Sequence, residues 1–242
     1  MSRTPGGESL AAQQAAEFRD QLALVLDVDD VVLALRLAHE LAPWFGVVKV
    51  GLELFSAAGP DSVTSLTDAG FKVFLDLKLH DIPTTVRKSA RVIGALGASY
   101  LTLHAQSGPV MLRAGVEGLE EGARAAGLGK PTALAVTILT SDGGAPAHIL
   151  GRRVTAAMES GCGGVVCAAA DVHEAKQLAP RLVTVVPGIR MPSGNPHDQA
   201  RSATPREALA AGADLLVIGR TVTAAADRPA AAAALVASLA SN

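Results

Sequence analysis

Eight short apolar runs, separated by helix-like stretches, set the tightest limit on what this chain can fold into. The runs are LALVLD (22–27), VVKVG (47–51), KVFLD (72–76), YLTLH (100–104), TALAVTIL (132–139), GVVCA (164–168), LVTVVP (182–187) and DLLVIG (214–219). Runs this apolar suit strands buried on both faces, as in parallel sheets. Ala-rich segments with helical patterning lie between them, for example at 30–41, 84–96, 109–125 and 145–160. Between the seventh and eighth runs only 205–211 reads as helix, and 224–240 reads as a final helix. Strand–helix alternation indicates βαβ units. Eight units in 242 residues predict a (β/α)8 TIM barrel, an α/β fold that takes about 250 residues as one domain. An open doubly wound sheet is the competing architecture. It is disfavoured because no GxGxxG follows the first run, and GLGKP near Lys130 lacks P-loop spacing. No linker divides 21–242, and 1–20 reads as an N-terminal extension.

Composition narrows the function. Hydrophobic residues at 49% against 18% charged support a large core and exclude a disordered chain. A net charge of −2 leaves no basic surplus for a phosphate backbone, and 3% aromatics supply no stacking platform, so no nucleic-acid partner is expected. No run approaches the roughly 20 apolar residues of a membrane span. The first twenty residues hold no apolar core of signal-peptide length, so a cytoplasmic protein with no membrane partner is expected. Cys162 and Cys167 flank an apolar run with no second pair, which supports neither a zinc site nor a disulfide scaffold. They read as small buried hydrophobes of a reduced protein.

Barrel enzymes carry their chemistry at the C-terminal ends of the strands. Run one ends in Asp27 and run two carries Lys49. Run three continues as DLKLHDIPTT, with Asp76, Lys78 and Asp81, and run eight ends in Gly219-Arg220. Side chains at i and i+2 of a strand face the same way. Lys72, Phe74, Asp76 and Lys78 therefore share one face, and Val73, Leu75 and Leu77 share the helix-packing face. Asp76 and Lys78 then stand side by side at the barrel mouth, with Lys49 projecting inward from the adjacent strand. A rim salt bridge would explain one charged pair. Five charges converging from three strand ends cost too much to bury for folding alone, which points to function.

Asp81 sits on a turn fixed by Ile82-Pro83, where a helix-start role is the plain alternative. His80 and His104 read as hydrogen-bonded structural histidines, and no HxH or HxxxH pairing suggests a metal. Gly219-Arg220 opens the last helix, where backbone N–H groups and a guanidinium favour an anion. The pattern-poor segment 187–205 carries Arg190 and Gln199, which are candidates to close over the same anion.

These residues carry a resemblance. DLKLHDIPTT, together with LDVDD, VVKVGLELF, AVTILTS, VVPGIR, HDQARSATP and LVIGRTVT in this order, resembles the orotidine 5′-monophosphate decarboxylases, which make UMP in the last step of de novo pyrimidine nucleotide synthesis. The match runs from about Leu22 to the C-terminus. It implies a dimeric (β/α)8 barrel with no metal and no organic cofactor. It implies a catalytic array of Lys49, Asp76, Lys78 and Asp81, with Lys78 as proton donor and Asp81 supplied by the partner subunit. Asp27 and Lys49 would hold the ribose, helped by Thr85 from the partner. Thr140 would touch the pyrimidine, and Arg190, Gln199, Gly219 and Arg220 the phosphate. Two departures stand out: Thr84 where the family commonly has Asn, and Ser107 in a glycine position.

The chemistry fits such residues. Loss of CO2 from C6 leaves an in-plane carbanion that the ring cannot delocalise, and without an electron sink the protein must stabilise it electrostatically. Two other readings compete. One is a Mg²⁺-dependent sugar-phosphate decarboxylase or aldolase on a related barrel, which would want an acidic metal ligand near the strand-two position where this chain has Lys49. The other is a non-catalytic phosphate-binding module, which would not need the lysine–carboxylate array.

Overall fold

Each apolar run pairs in parallel with the next, and the last pairs with the first. The computed structural model describes residues 10–142, 145, 146, 148–191 and 201–240. Its strands are β1 Leu22–Val25, β2 Val47–Val50, β3 Lys72–Leu79, β4 Tyr100–His104, β5 Thr132–Val136, β6 Gly164–Val166, β7 Val183–Val186 and β8 Leu215–Ile218. They form a closed parallel barrel in sequence order, sealed by the β8–β1 pair. The helices are α1 Leu10–Phe18, α2 Val31–Leu41, α3 Leu52–Ala58, α4 Asp61–Asp68, α5 Pro83–Ala95, α6 Gly108–Ala125, α7 His148–Glu159, α8 Val172–Leu178, α9 Pro205–Ala210, α10 Arg220–Thr223 and α11 Arg228–Ala240. The predicted TIM-barrel fold is the observed one. Residues 1–9 lie outside the described part; α1 covers much of the rest of the extension and buries Ala15.

The period of two along each strand divides the core. Ala23, Val25, Val47, Phe74, Leu134, Val185, Leu215 and Val217 form one cluster inside the barrel. Their strand neighbours Leu24, Val48, Val73, Leu75, Leu101 and Leu216 belong to a second, larger cluster with helix residues such as Leu37, Val86, Leu119 and Val154. Cys162 and Cys167 are buried free thiols, and burial pushes both up to about 12.

Helices α5 and α6 approach unusually closely, because α6 carries glycines where they touch. A Cβ on Gly122 would lie 1.9 Å from the Arg91 carbonyl oxygen, and one on Gly118 would lie 2.2 Å from that of Arg87. Only glycine fits there. The contact fixes α5, whose first residues follow directly on Asp81 and Ile82.

Three expectations from the sequence need correction. The third strand runs on to Leu79 rather than ending at Asp76, and it is not regular. Leu75 pairs with Leu101 and Leu79 with Leu103, so β3 takes four steps where β4 takes two. The extra residues form a bulge around Asp76–Lys78, and Lys78 sits at φ +50°, in the left-handed region. The fifth strand ends at Val136, not at 139. At Thr137 the carbonyl bonds the Arg153 guanidinium of α7 instead of a neighbouring strand. Finally, Gly219-Arg220 opens the single turn of α10, not the last helix, and α11 starts at Arg228. There the Asp227 carboxylate accepts from the Ala230 amide at 2.9 Å and caps a new helix, while Arg228 Nε bonds the Thr223 carbonyl at 3.1 Å.

Candidate active site

Three adjacent strands place their inward rows at the mouth. Asp27 follows Val25 on the β1 row, Lys49 follows Val47 on β2, and Asp76 follows Phe74 on β3. Lys49 Nζ lies 3.5 Å from Asp27 Oδ1 and 3.8 Å from Asp76 Oδ2. Lys78 Nζ donates to both oxygens of Asp76, each at 2.9 Å. The result is one chain of alternating charge, Asp27–Lys49–Asp76–Lys78. Its middle is drier than its ends: the side chains of Lys49 and Asp76 are 11% and 15% exposed, against 59% for Asp27.

The side-by-side placement of Asp76 and Lys78 is as the sequence predicts, but regular alternation does not produce it. The bulge carries the Lys78 backbone out of the ladder, and its amide donates instead to Thr102 Oγ1 at 2.8 Å. The same hydroxyl donates to Asp76 Oδ1 at 3.0 Å. Thr102 is fully buried on β4. The left-handed conformation of a lysine costs about 1–3 kcal/mol, so it persists only where the surroundings over-determine it. Residues held this way cluster at functional sites.

The array lines one side of a cavity of about 570 Å³. Val25, Phe74, Val136, Val166 and Val217 form its floor, and Ile138, Leu139 and Thr140 line it after β5. Pro187, Gly188 and Arg190 come from the end of β7, and Gly219 and Arg220 from the end of β8. In the closed strand order β7 lies across the barrel from β3. Arg190 is buried, its Nη1 donating to the Ile189 carbonyl at 2.8 Å. The chain around it is pinned by bonds from the Arg190 amide to the Ala203 carbonyl at 2.9 Å and from Thr221 Oγ1 to the Ile189 carbonyl at 3.1 Å. Asp27 and Asp76 balance Lys49 and Lys78. Arg190 and Arg220 bring two guanidinium groups to the same cavity, a donor type whose planar fork suits a phosphate.

Of the residues singled out from sequence, Asp27, Lys49, Asp76, Lys78, Thr140, Arg190, Gly219 and Arg220 share this cavity. Asp81 and Thr85 do not line it. Both are exposed, and the Asp81 carboxylate accepts from the Ile82 amide at 2.6 Å. Gln199 lies outside the described residues. His80 and His104 meet edge to face with ring centroids 5.4 Å apart, and His104 Nδ1 accepts from the Gln106 amide at 3.3 Å. Burial, then the charges of His80, Arg153 and Lys78, hold the His104 imidazole below its ordinary value, which suits a neutral structural histidine. Among the described residues no group of three or more His, Cys, Asp or Glu side chains is arranged to hold a metal ion. Thr102 escaped the sequence reading. The signal was present in YLTLH, where Tyr100, Thr102 and His104 alternate onto the inner face.

Similarity to known proteins agrees with this geometry. The model of the family described as Orotidine 5'-phosphate decarboxylase / HUMPS family matches residues 20–235. The chain is 39% identical over 233 residues to the orotidine 5'-phosphate decarboxylase of Moorella thermoacetica, covering 91% of this chain and 92% of the relative. It is 42% identical over 223 residues to that of Anaeromyxobacter dehalogenans, covering 91% and 98%. The crystal structure of orotidine 5'-phosphate decarboxylase from Lactobacillus acidophilus matches with a TM-score of 0.78 at 34% identity, over 91% of this chain and 99% of that one.

Proposed function

The chain belongs to the orotidine 5'-phosphate decarboxylase / HUMPS family, and from that premise we propose that its barrel mouth decarboxylates orotidine 5′-monophosphate to UMP. The observation that carries this reading is the Lys49–Asp76–Lys78 array, in one cavity with Arg190 and Arg220.

The phosphate binds between Arg190 and Arg220, near Gly219, with Gln199 joining it. The ribose lies against Asp27 and Lys49, and the pyrimidine reaches Thr140. C6 then faces Lys78, with the departing carboxylate beside Asp76. The bond from C6 to the carboxylate breaks, CO2 leaves, and the electron pair stays on C6. The Lys78 ammonium stabilises that charge and donates its proton to C6, and solvent reprotonates the amine. Asp76 spans the two lysines, so it orients Lys78 while Lys49 balances its charge. Phosphate binding far from C6 supplies energy to exclude water and order the site.

The protein acts as a cytoplasmic homodimer without metal or cofactor. Asp81 and Thr85 complete the partner's site. Their exposure, beside an Ile82 that is 66% exposed, suits residues that act on a neighbour rather than in their own cavity. No helix among the described residues is long and apolar enough to cross a membrane. A Mg²⁺-dependent sugar-phosphate enzyme is not favoured, because the curated relatives are named as orotidine 5'-phosphate decarboxylases and Lys49 occupies the strand-two position. The decisive assay follows the absorbance of orotidine 5′-monophosphate in excess EDTA. Turnover to UMP is expected to survive. Activity that disappears with chelator and returns with Mg²⁺ would overturn the proposal.

A further inference from the structure

Thr102 bonds both members of the Asp76–Lys78 pair, and no step described so far uses it. A hydroxyl has one proton to give and two lone pairs to accept with. Because Thr102 Oγ1 accepts the Lys78 amide at 2.8 Å, its proton is free to point at Asp76 Oδ1, 3.0 Å away. One oxygen thereby ties the backbone of the bulge to the carboxylate that holds the Lys78 ammonium. The bulge removes the Lys78 amide from the β3–β4 ladder, so without this hydroxyl the amide would lose the acceptor it has. Thr102 is fully buried and does not line the cavity, so it acts through its neighbours and not on substrate.

We propose that Thr102 is a positioning residue for the decarboxylation, holding Lys78 in its left-handed conformation and aligning Asp76 with the Lys78 ammonium. The proposal rests on the reading of Asp76 and Lys78 as catalytic groups.

Two substitutions separate this role from packing. Thr102→Val keeps the branched shape and removes the hydroxyl, whereas Thr102→Ser keeps the hydroxyl and removes a methyl group. Thr102→Val is expected to lower kcat by about 10- to 150-fold, the worth of a hydrogen bond to a charged group. KM should stay within about threefold, because the phosphate and ribose contacts are untouched. Thr102→Ser should keep kcat within about fivefold of wild type. Hydrogen exchange of the Lys78 amide, measured alongside, should speed up by roughly tenfold or more in Thr102→Val and not in Thr102→Ser. If Thr102→Val does not fold by circular dichroism, Thr102→Ala removes the hydroxyl with less bulk. A packing role predicts the reverse order, with Val near wild type and Ser impaired, and that result overturns the proposal. If the wild-type protein itself leaves orotidine 5′-monophosphate unchanged, the reaction assignment fails. The amide-exchange contrast then still decides whether Thr102 holds the bulge.

Discussion

Lys78 concentrates two properties that conflict locally and agree functionally. Its backbone is in a region that disfavours any side chain, and its ammonium is bonded twice by Asp76. Lys78→Ala removes the ammonium but keeps the Cβ, so the fold should persist with its strain. Turnover should fall by at least about 10³-fold, since proton donation and charge stabilisation are lost together. Lys78→Gly should be equally inactive yet unfold a few degrees higher than Lys78→Ala, because relieving a left-handed residue returns about 1 kcal/mol. Rates and thermal melts of both variants check this. Residual activity within about tenfold of wild type would remove Lys78 as the acid. The period of two in DLKLHDIP put Asp76 beside Lys78, but the bulge rather than that period brings them together. The left-handed turn was not legible, because nothing in a lysine's own preferences announces it.

The α5–α6 contact governs how the turn bearing Asp81 is presented. Gly118 and Gly122 bring the two helices to backbone contact, and α5 begins two residues after Asp81. Gly122→Ala would push a methyl group into the Arg91 carbonyl. Overpacking of this kind costs about 1–3 kcal/mol. At roughly 2–4 °C per kcal/mol for a chain of this size, the melting temperature should drop by about 2–12 °C. A melting temperature unchanged or raised would show that the helices separate without cost. Of the helices named from the sequence, α2, α5, α6 and α9 were readable to within a residue or two, whereas α7 and α11 start three and four residues later than their patterns suggest, and the pair α3 and α4 was not named. Element ends were less readable where side chains decide them, as with Asp227 capping helix α11 and Arg153 bonding the Thr137 carbonyl just past strand β5.

Assembly is tested by mixing chains. If Asp81 acts across a dimer, Lys78→Ala and Asp81→Asn homodimers should both be nearly inactive. A mixed dimer then holds one site with both defects and one with neither. Random exchange at equal amounts makes about half the dimers mixed, so about a quarter of all sites regain wild-type composition. Activity after co-refolding, with exchange verified by differently tagged chains, measures this. Verified exchange without recovery would return Asp81 to its own barrel.

The alternation of eight apolar runs with helical segments determined the closed barrel, because eight βαβ units in about 250 residues leave few other ways to bury strands on both faces. Period-two reasoning also put Lys49 and Asp76 on the inward face, while Asp27 was singled out only as the residue that ends the first run. Tertiary structure alone decided how they meet. The two extra residues of β3 exist only relative to β4, and a register is a property of two strands rather than of one. Thr102 becomes a partner of Asp76 and Lys78 only when β4 lies beside β3. Arg190 and Arg220 join the array in one cavity only because the sheet closes and brings the ends of β7 and β8 round to face β3. Sequence encodes which face a side chain takes, because that follows from local geometry. It does not display contacts between strands distant in the chain, because these depend on where the whole barrel sets their ends.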